Sequence, residues 1–527
     1  MGLISLTLPN DGETIDAADV NTPFNTISTV INGNIDNANI KTNAAIDGTK
    51  IADNSIPASK MLNGAQGWTG LANNPNTITY NGNRNYDLVF NSVYLSNTLS
   101  PGMRLKLSRT VAAPTQCTDL ESGSSQYYSK TSPAGMTFTD DFVVSAWVKL
   151  ESYGNTTIAS RYDGAAGNGW ILQISSSGIV ILSGHNGGAS NTSNVQSYSS
   201  IPLNKWVHIT AQLDMSSFTN TATTSYIMID GVDVPASVQR SGTNPTALVQ
   251  GGTLAIGGRG APSDYFDGKL AQVAIFSAKV TQATMRTYMS QGLSGSETSL
   301  ISAYSFNGVI TDLNTTNANN LTANGSAVAT ATDSPYANAV TAGTEEYAEI
   351  NSVTFSTNTT VNVRVPDACM IPTSGGISNV YYAVGANPYG LPAFSNVLNE
   401  AVLCAVPSTF TSTAQIPGLS VSVYIPKNKT VKVTIWADSC SNNTSGSFTA
   451  VQIWAGAVTT GRSISYGNYQ VAANSQRMIV NQSNTYFPAS EGLITFNASC
   501  AALISGTSTF ANGASTTTPA YLRVEYA

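Results

Sequence analysis

Hydrophobic residues in this chain recur with a period of two, in short runs broken by Gly, Asn or Asp, and that pattern admits little besides β-structure. Phe142, Val144, Ala146, Val148 and Leu150 alternate with Val143, Ser145, Trp147 and Lys149. Val207, Ile209, Ala211 and Leu213 alternate with Trp206, His208, Thr210 and Gln212. Val421, Val423 and Ile425 do the same before the turn at Pro426-Lys427-Asn428-Lys429, and Val431, Val433 and Ile435 after it. A side chain on every second position faces one side of a sheet, so such runs predict half-buried strands, and their spacing predicts sandwiches. Asp230-Gly231 inside Ile227–Val234 and Asn81-Gly82 after Thr77–Tyr80 are hairpin signals. Helix is expected only at about 22–32 and 281–290.

With 527 residues the chain is long enough for several domains. Only 10% of it is charged, well under the roughly 25% usual for soluble proteins, so Ser, Thr, Asn and Gly must supply the polar surface. The net charge is −7 and no basic cluster is interleaved with aromatics, which removes the electrostatic basis for nucleic-acid binding. No run of 18 apolar residues predicts a membrane-spanning helix. Met1–Pro9 does not read as a secretory signal, so a protein made in the cytoplasm and released by lysis is expected. Five widely spaced cysteines without a Cys-x-x-Cys pair read as buried thiols, not as a disulfide framework or zinc site.

Before the strands begin, Thr22-Pro23 reads as a helix start and Gly33 as a stop, with Val20, Phe24, Ile27 and Ile31 spaced like a short coiled-coil seam. So short a helix needs cover, either from its own chain or from copies of itself. Ile35, Ile40, Ile46, Ile51, Ile56 and Met61 then recur every five or six residues, which fits several chains winding around one axis as an extended shaft. The stretch resembles N-terminal segments of phage tail and capsid fibres, chiefly over Asp19–Asn25 and Gly33–Ile40. That resemblance implies a homotrimer, attached to other virion proteins and exposed on the particle.

Four parts are predicted: 1–66 for attachment and oligomerisation, 67–107 as a small β module, 108–336 as the central sandwich, and 337–527 as a C-terminal, jelly-roll-like β-sandwich. Within 108–336, Phe142–Leu150, Ser160–Asp163 with Gly169-Trp170, Ile201–His208, Tyr226–Gly231, Leu254–Gly258 and Phe266–Phe276 follow one another in an order that resembles the laminin G-like, concanavalin A-like family. The resemblance implies a jelly roll that binds glycans or proteins, in some members through calcium at the rim. No cofactor is required, and calcium is the one ion implied. Asp163, Asp264 and Asp267 are the candidate oxygen ligands, although Asp is also the ordinary turn residue. Tyr162 and Tyr265, which could stack on sugar rings or be buried in the sandwich, and His185 with Asn186 on a flexible turn are the candidate ligand contacts. Arg161 with Asp163 reads as a packing pair and His208 as structural.

Paired glycosidase carboxylates on one strand are missing from the central region, and no nucleophile elbow accompanies either histidine. Three functions remain. The chain is a receptor-binding phage fibre or spike that engages a host-surface glycan or protein, a structural decoration protein of the particle, or a polysaccharide depolymerase. The first is the principal reading.

Overall fold

The computed structural model describes Ala18, Asn21, Phe24 and Asn25 of the first 68 residues. From Thr69 to Ala527 it describes all but 72–73, 83, 92–98, 110–113, 139, 165–166, 188–190, 215–223, 243–247, 249–251, 261–262, 337–344, 366–370, 372–376, 384–396, 408, 426–428, 471, 473–476, 512–513 and 516. The chain divides into two compact units, Met1–Gln66 and Gly67–Ala527. In the first, the four described residues are helical and exposed. Helix is therefore present by Ala18, ahead of the Thr22-Pro23 start. The seam positions Val20, Ile27 and Ile31 and the isoleucines from Ile35 to Met61 lie outside the described residues.

The second unit is built of antiparallel sheets. Strand Phe142–Leu150 lies between Trp206–Leu213 and Gly268–Phe276, in register Val148↔Val207 and Val144↔Ile275. The opposing sheet runs through Leu254–Ile256, Thr156–Asp163, Asn168–Ile174, Ile179–His185 and Thr192–Ser200. Phe142, Val144, Val148 and Leu150 point between these sheets, where they meet Trp170, Leu172, Leu182 and Ile256. Phe138 stacks on Phe142 at 4.7 Å. The helix Gln282–Gln291 is capped by the Thr281 hydroxyl, which accepts from Thr284 N, and it buries Met285 and Met289. In the hairpin at Asp230-Gly231 both turn residues have positive φ, 49° and 72°, as a tight two-residue turn requires.

The other face of Phe142–Leu150 is also covered. Trp147 is fully buried under a seven-stranded sheet. That sheet interleaves Thr77–Gly82, Asn85–Phe90 and Arg104–Arg109 with Glu345–Phe355, Thr359–Arg364 and Ile377–Ala383. The segment read as a separate module over 67–107 thus shares one sheet with the start of the segment read as 337–527. Pairings such as Leu88↔Val361 and Leu105↔Ala348 join residues far apart in sequence, which no local pattern reveals. The first hairpin also closes later than Asn81-Gly82. Gly82 pairs with Asn85, so the pairing extends past Asn81-Gly82, and Arg84 has φ 64°. Tyr80 and Tyr86, both buried, set that register.

The C-terminal sandwich packs Ala414–Ile425, Gly492–Leu503, Phe448–Ala455 and Arg462–Gln470 against Val397–Leu403, Ala520–Tyr526, Val431–Asn442 and Met478–Tyr486. The strands flanking Pro426–Lys429, Ala414–Ile425 and Val431–Asn442, lie in opposite sheets of this sandwich. One rung, Ser200↔Val402, joins this sandwich to the central one.

Leu213↔Phe142 is the last rung of its ladder, and one step further Asp214 faces Asp141. Burial first, then the proton shared with Asp214 and the charges of Asp214 and Asp140, push the Asp141 carboxyl up to about 6 against the pull of Lys279. Arg240 donates to the Asp214 carbonyl at 2.5 Å. A raised pKa means that the folded state holds this proton more tightly than the unfolded chain. The contribution is complete below about pH 4 and is lost as pH rises through about 6. Asp141→Asn should raise the thermal midpoint near neutral pH by about 2–4 °C and flatten its rise on acidification, as followed by calorimetry. Trp147→Ala should cost about 3–5 kcal/mol in denaturant unfolding, because it empties the contact between the two sheets.

Candidate functional site

Tyr162, Gly169 and His185 occupy one rung across three strands. Gly169 has φ 107°, and a Cβ there would stand 1.8 Å from the Arg161 carbonyl oxygen, so only glycine fits. With no side chain between them, the Tyr162 and His185 rings meet edge to face, 5.0 Å apart at 62°. Arg259 places its guanidinium 5.0 Å over the Tyr162 ring, and its Nη1 pairs with Asp264 Oδ2 at 2.9 Å. The Gly257–Phe266 loop that carries Arg259 is closed by Arg259 N donating to Ser263 O and Phe266 N donating to Gly257 O, both at 3.0 Å. It is pinned to the sheet by Thr157 N donating to Asp264 O at 2.9 Å. Asn186 follows on a turn held by its N–H to Asn191 O at 3.1 Å and by Gly187 N to Asn168 Oδ1 at 2.7 Å.

These side chains are half-buried, which suits a site that must be both ordered and reachable. Burial, with help from the Arg259 charge, lowers the His185 pKa to about 4, so the imidazole is neutral near pH 7. Its Nδ1 is shielded from water and has no hydrogen-bond partner among the described residues. The group therefore offers an aromatic face, a neutral imidazole and a planar cation tied to a carboxylate.

The other sequence candidates lie apart from this group. Tyr265 sits with its ring 5.9 Å from Tyr127. Asp267 accepts from Ser152 Oγ at 2.6 Å and from Ser122 N and Oγ at 3.2 and 3.0 Å. Burial opposes its charge, but these donors prevail and hold the carboxyl below the usual range. Asp163 closes a turn through its carbonyl, which accepts from Gly167 N at 2.8 Å. Asp163, Asp264 and Asp267 are not brought together as one group among the described residues; Asp264 pairs with Arg259 and Asp267 with serine donors. The carboxylates that do converge among the described residues are Asp119, Glu121 and Glu151. Lys269 Nζ stands 2.9 Å from Asp119 and 3.0 Å from Glu151 and supplies the positive charge there.

Arg161 donates from Nη1 to Met136 O at 2.9 Å, a packing role. His208 is buried against Trp147 at 5.1 Å, and burial followed by the Arg84 charge lowers its pKa to about 3. Glu349, on the strand at the domain junction, pairs with Arg104 at 3.4 Å. Arg259 was not among the sequence candidates. A lone cation inside Gly257-Gly258-Arg259-Gly260, directly after a strand, is the signal that marks it. Gly260 lets the loop close on strand Thr156–Asp163, since a Cβ there would stand 2.4 Å from the Tyr162 carbonyl oxygen.

Residues 122–285 match the laminin G-type family described as the concanavalin A-like lectin/glucanases superfamily. Among solved structures, a proposed carbohydrate binding protein from Bacteroides ovatus is similar at 17% identity and a TM-score of 0.29, over 43% of this chain and 59% of that one, less than two thirds of its length. The SAP-like pentraxin of Limulus polyphemus is similar at 14% identity and 0.24, over 36% and 82%. Domains LG4-5 of the mouse laminin alpha1 chain are similar at 8% and 0.24, over 79% and 89%. A search of curated proteins gives no match. The central sandwich of this chain contains a concanavalin A-like, laminin G-like domain.

Proposed function

We propose that the chain is a non-catalytic binding protein that takes a host-surface glycan at the Tyr162–His185–Arg259 group and is carried on a phage particle as a tail or capsid fibre or spike. The observation that carries the binding reading is the half-buried tyrosine that meets an imidazole edge-on across Gly169 and has a guanidinium over its ring. An aromatic ring takes the apolar face of a sugar, while Arg259 and Asp264 offer donors and acceptors to its hydroxyls. Asn186, on the adjoining turn, extends the polar edge. The lectin-like domain supports the same reading.

The particle reading rests on the first unit. Helical Phe24 is 68% exposed, and the apolar residues after it recur at a spacing suited to identical chains around an axis. Burying such side chains is worth about 1.5–3 kcal/mol each when something covers them, and ring closure makes copies of the same chain the natural cover. A homotrimer attached to other virion proteins is the assembly proposed.

Two measurements test these readings. On a glycan array followed by titration, Tyr162→Ala and Arg259→Ala should each weaken binding about tenfold or more without lowering the thermal midpoint by more than a few degrees. Affinity should stay level from about pH 8 to 5.5 and fall toward pH 4, where His185 gains a charge beside Arg259. Array binding unaffected by both substitutions would remove this site. For the assembly, deletion of residues 1–66 should yield folded monomers that no longer enter particles. A monomeric full-length protein at micromolar concentration in sedimentation would contradict it.

A further inference from the structure

The outward face of the C-terminal sandwich carries a cluster of aromatic and paired charged side chains outside its apolar core. On strand Ala520–Tyr526, Ala520, Leu522 and Val524 enter the core, so Tyr521, Arg523 and Glu525 face out; Lys432, Thr434 and Trp436 do the same on the neighbouring strand. Register aligns them in two rows across four strands, Val402–Tyr521–Trp436–Asn481 and Glu400–Arg523–Thr434–Ser483. Trp436 and Tyr521 are half-buried, their ring centroids 5.7 Å apart and 18° from parallel. The Arg523 guanidinium lies 4.5 Å over Tyr521, and its Nε donates to Glu400 Oε2. The Thr434 hydroxyl is shielded from water and has no hydrogen-bond partner among the described residues. At the Glu400 and Val402 end, this face runs into a cleft of about 500 Å³ between the two sandwiches, walled by Val232 and Pro235 on one side and Ser420 and Thr495 on the other.

We propose that this ledge and cleft form a second binding site, for a neutral oligosaccharide. The aromatic pair supplies surface for the C–H face of a pyranose ring. The planar Arg523–Glu400 pair presents donors and acceptors side by side to vicinal hydroxyls, and exposed Asn481 adds an amide at the far end. Charge decides the ligand class. Arg523 is balanced by Glu400, and Lys432 by Glu525 at 3.1 Å, so among the described residues these two strands present no uncompensated charge on this face to attract an ion. Length decides the number of units, since Trp436 and Val402 are two strand spacings apart, about 10 Å, and the cleft adds to that. The site shares no residue with the Tyr162 group, and the two stand or fall separately.

The test uses the full chain and a panel of glucan, mannan and chitin hexamers in titration calorimetry. At least one hexamer should bind, with Trp436→Ala and Tyr521→Ala each weakening it about tenfold or more, and Tyr162→Ala less than about twofold. The same hexamer should protect Trp436 of the unmutated protein from oxidative labelling about threefold or more, a readout that does not depend on how the variants fold. The proposal is overturned if no hexamer protects Trp436, or if binding follows Tyr162 alone. It is equally overturned if Trp436→Ala lowers the sedimentation coefficient, which would mean that a second copy of the chain covers this face.

Discussion

Strand Phe142–Leu150 is buried on both faces, and the second unit is organised by the need to cover it. One face needs the opposing sheet of the central sandwich. The other presents Trp147, whose indole Nε1 donates to the Tyr336 hydroxyl at 3.2 Å, while that hydroxyl donates to Met289 O at 2.7 Å. Arg84 lies 5.3 Å over the same indole and His208 meets it edge-on. An indole of this size, buried with its N–H bonded, holds the seven-stranded sheet, the helix and residues around 336 against one strand. Asp333 reinforces the contact at its rim by accepting from Trp206 Nε1 at 3.0 Å and Lys149 Nζ at 2.6 Å.

That covering also bears on where the two proposed sites lie. The outer face of the strand-142 sheet is occupied, so the free surface of the central sandwich is at the strand ends and loops of the opposite sheet. There the Gly257–Phe266 loop delivers Arg259 to Tyr162. Among the described residues no comparable sheet covers the outward face of the Val431–Asn442 sheet, where Trp436 and Tyr521 are half-buried. Both places use polar groups that already have partners, such as Arg259 with Asp264 and Arg523 with Glu400. At the two proposed sites a sugar would meet oriented groups at little cost in ordering.

Much of this was legible from alternation alone. Strands at 142–150 and 206–213, the Asp230-Gly231 hairpin and the Thr281 cap depend on neighbours in sequence, and the structure has them where the pattern puts them. Tyr162 and His185 were legible as candidates because an aromatic and a histidine lay beside turns. Their contact was not, since it depends on Gly169 arriving between them from a third strand. The partners of the acidic candidates were hidden for a related reason: Arg259 beside Asp264, and Ser122 and Ser152 beside Asp267, are brought in by folding.

The sequence by itself determined what can be decided within a turn or a strand: the β class, the two-faced strands, the tight turns and the Thr281-capped helix near the end of the central region. Tertiary structure decided which strands become neighbours. It put Thr77–Arg109 into one sheet with Glu345–Ala383, placed the strands either side of Pro426–Lys429 in opposite sheets, and aligned Glu400, Arg523 and Thr434 in one row. Side-chain period records which face of a strand is apolar but not which distant strand will cover it. That choice falls to the packing of whole faces, where burial of Trp147, Tyr86 and Leu88 outweighs any local preference for order along the chain.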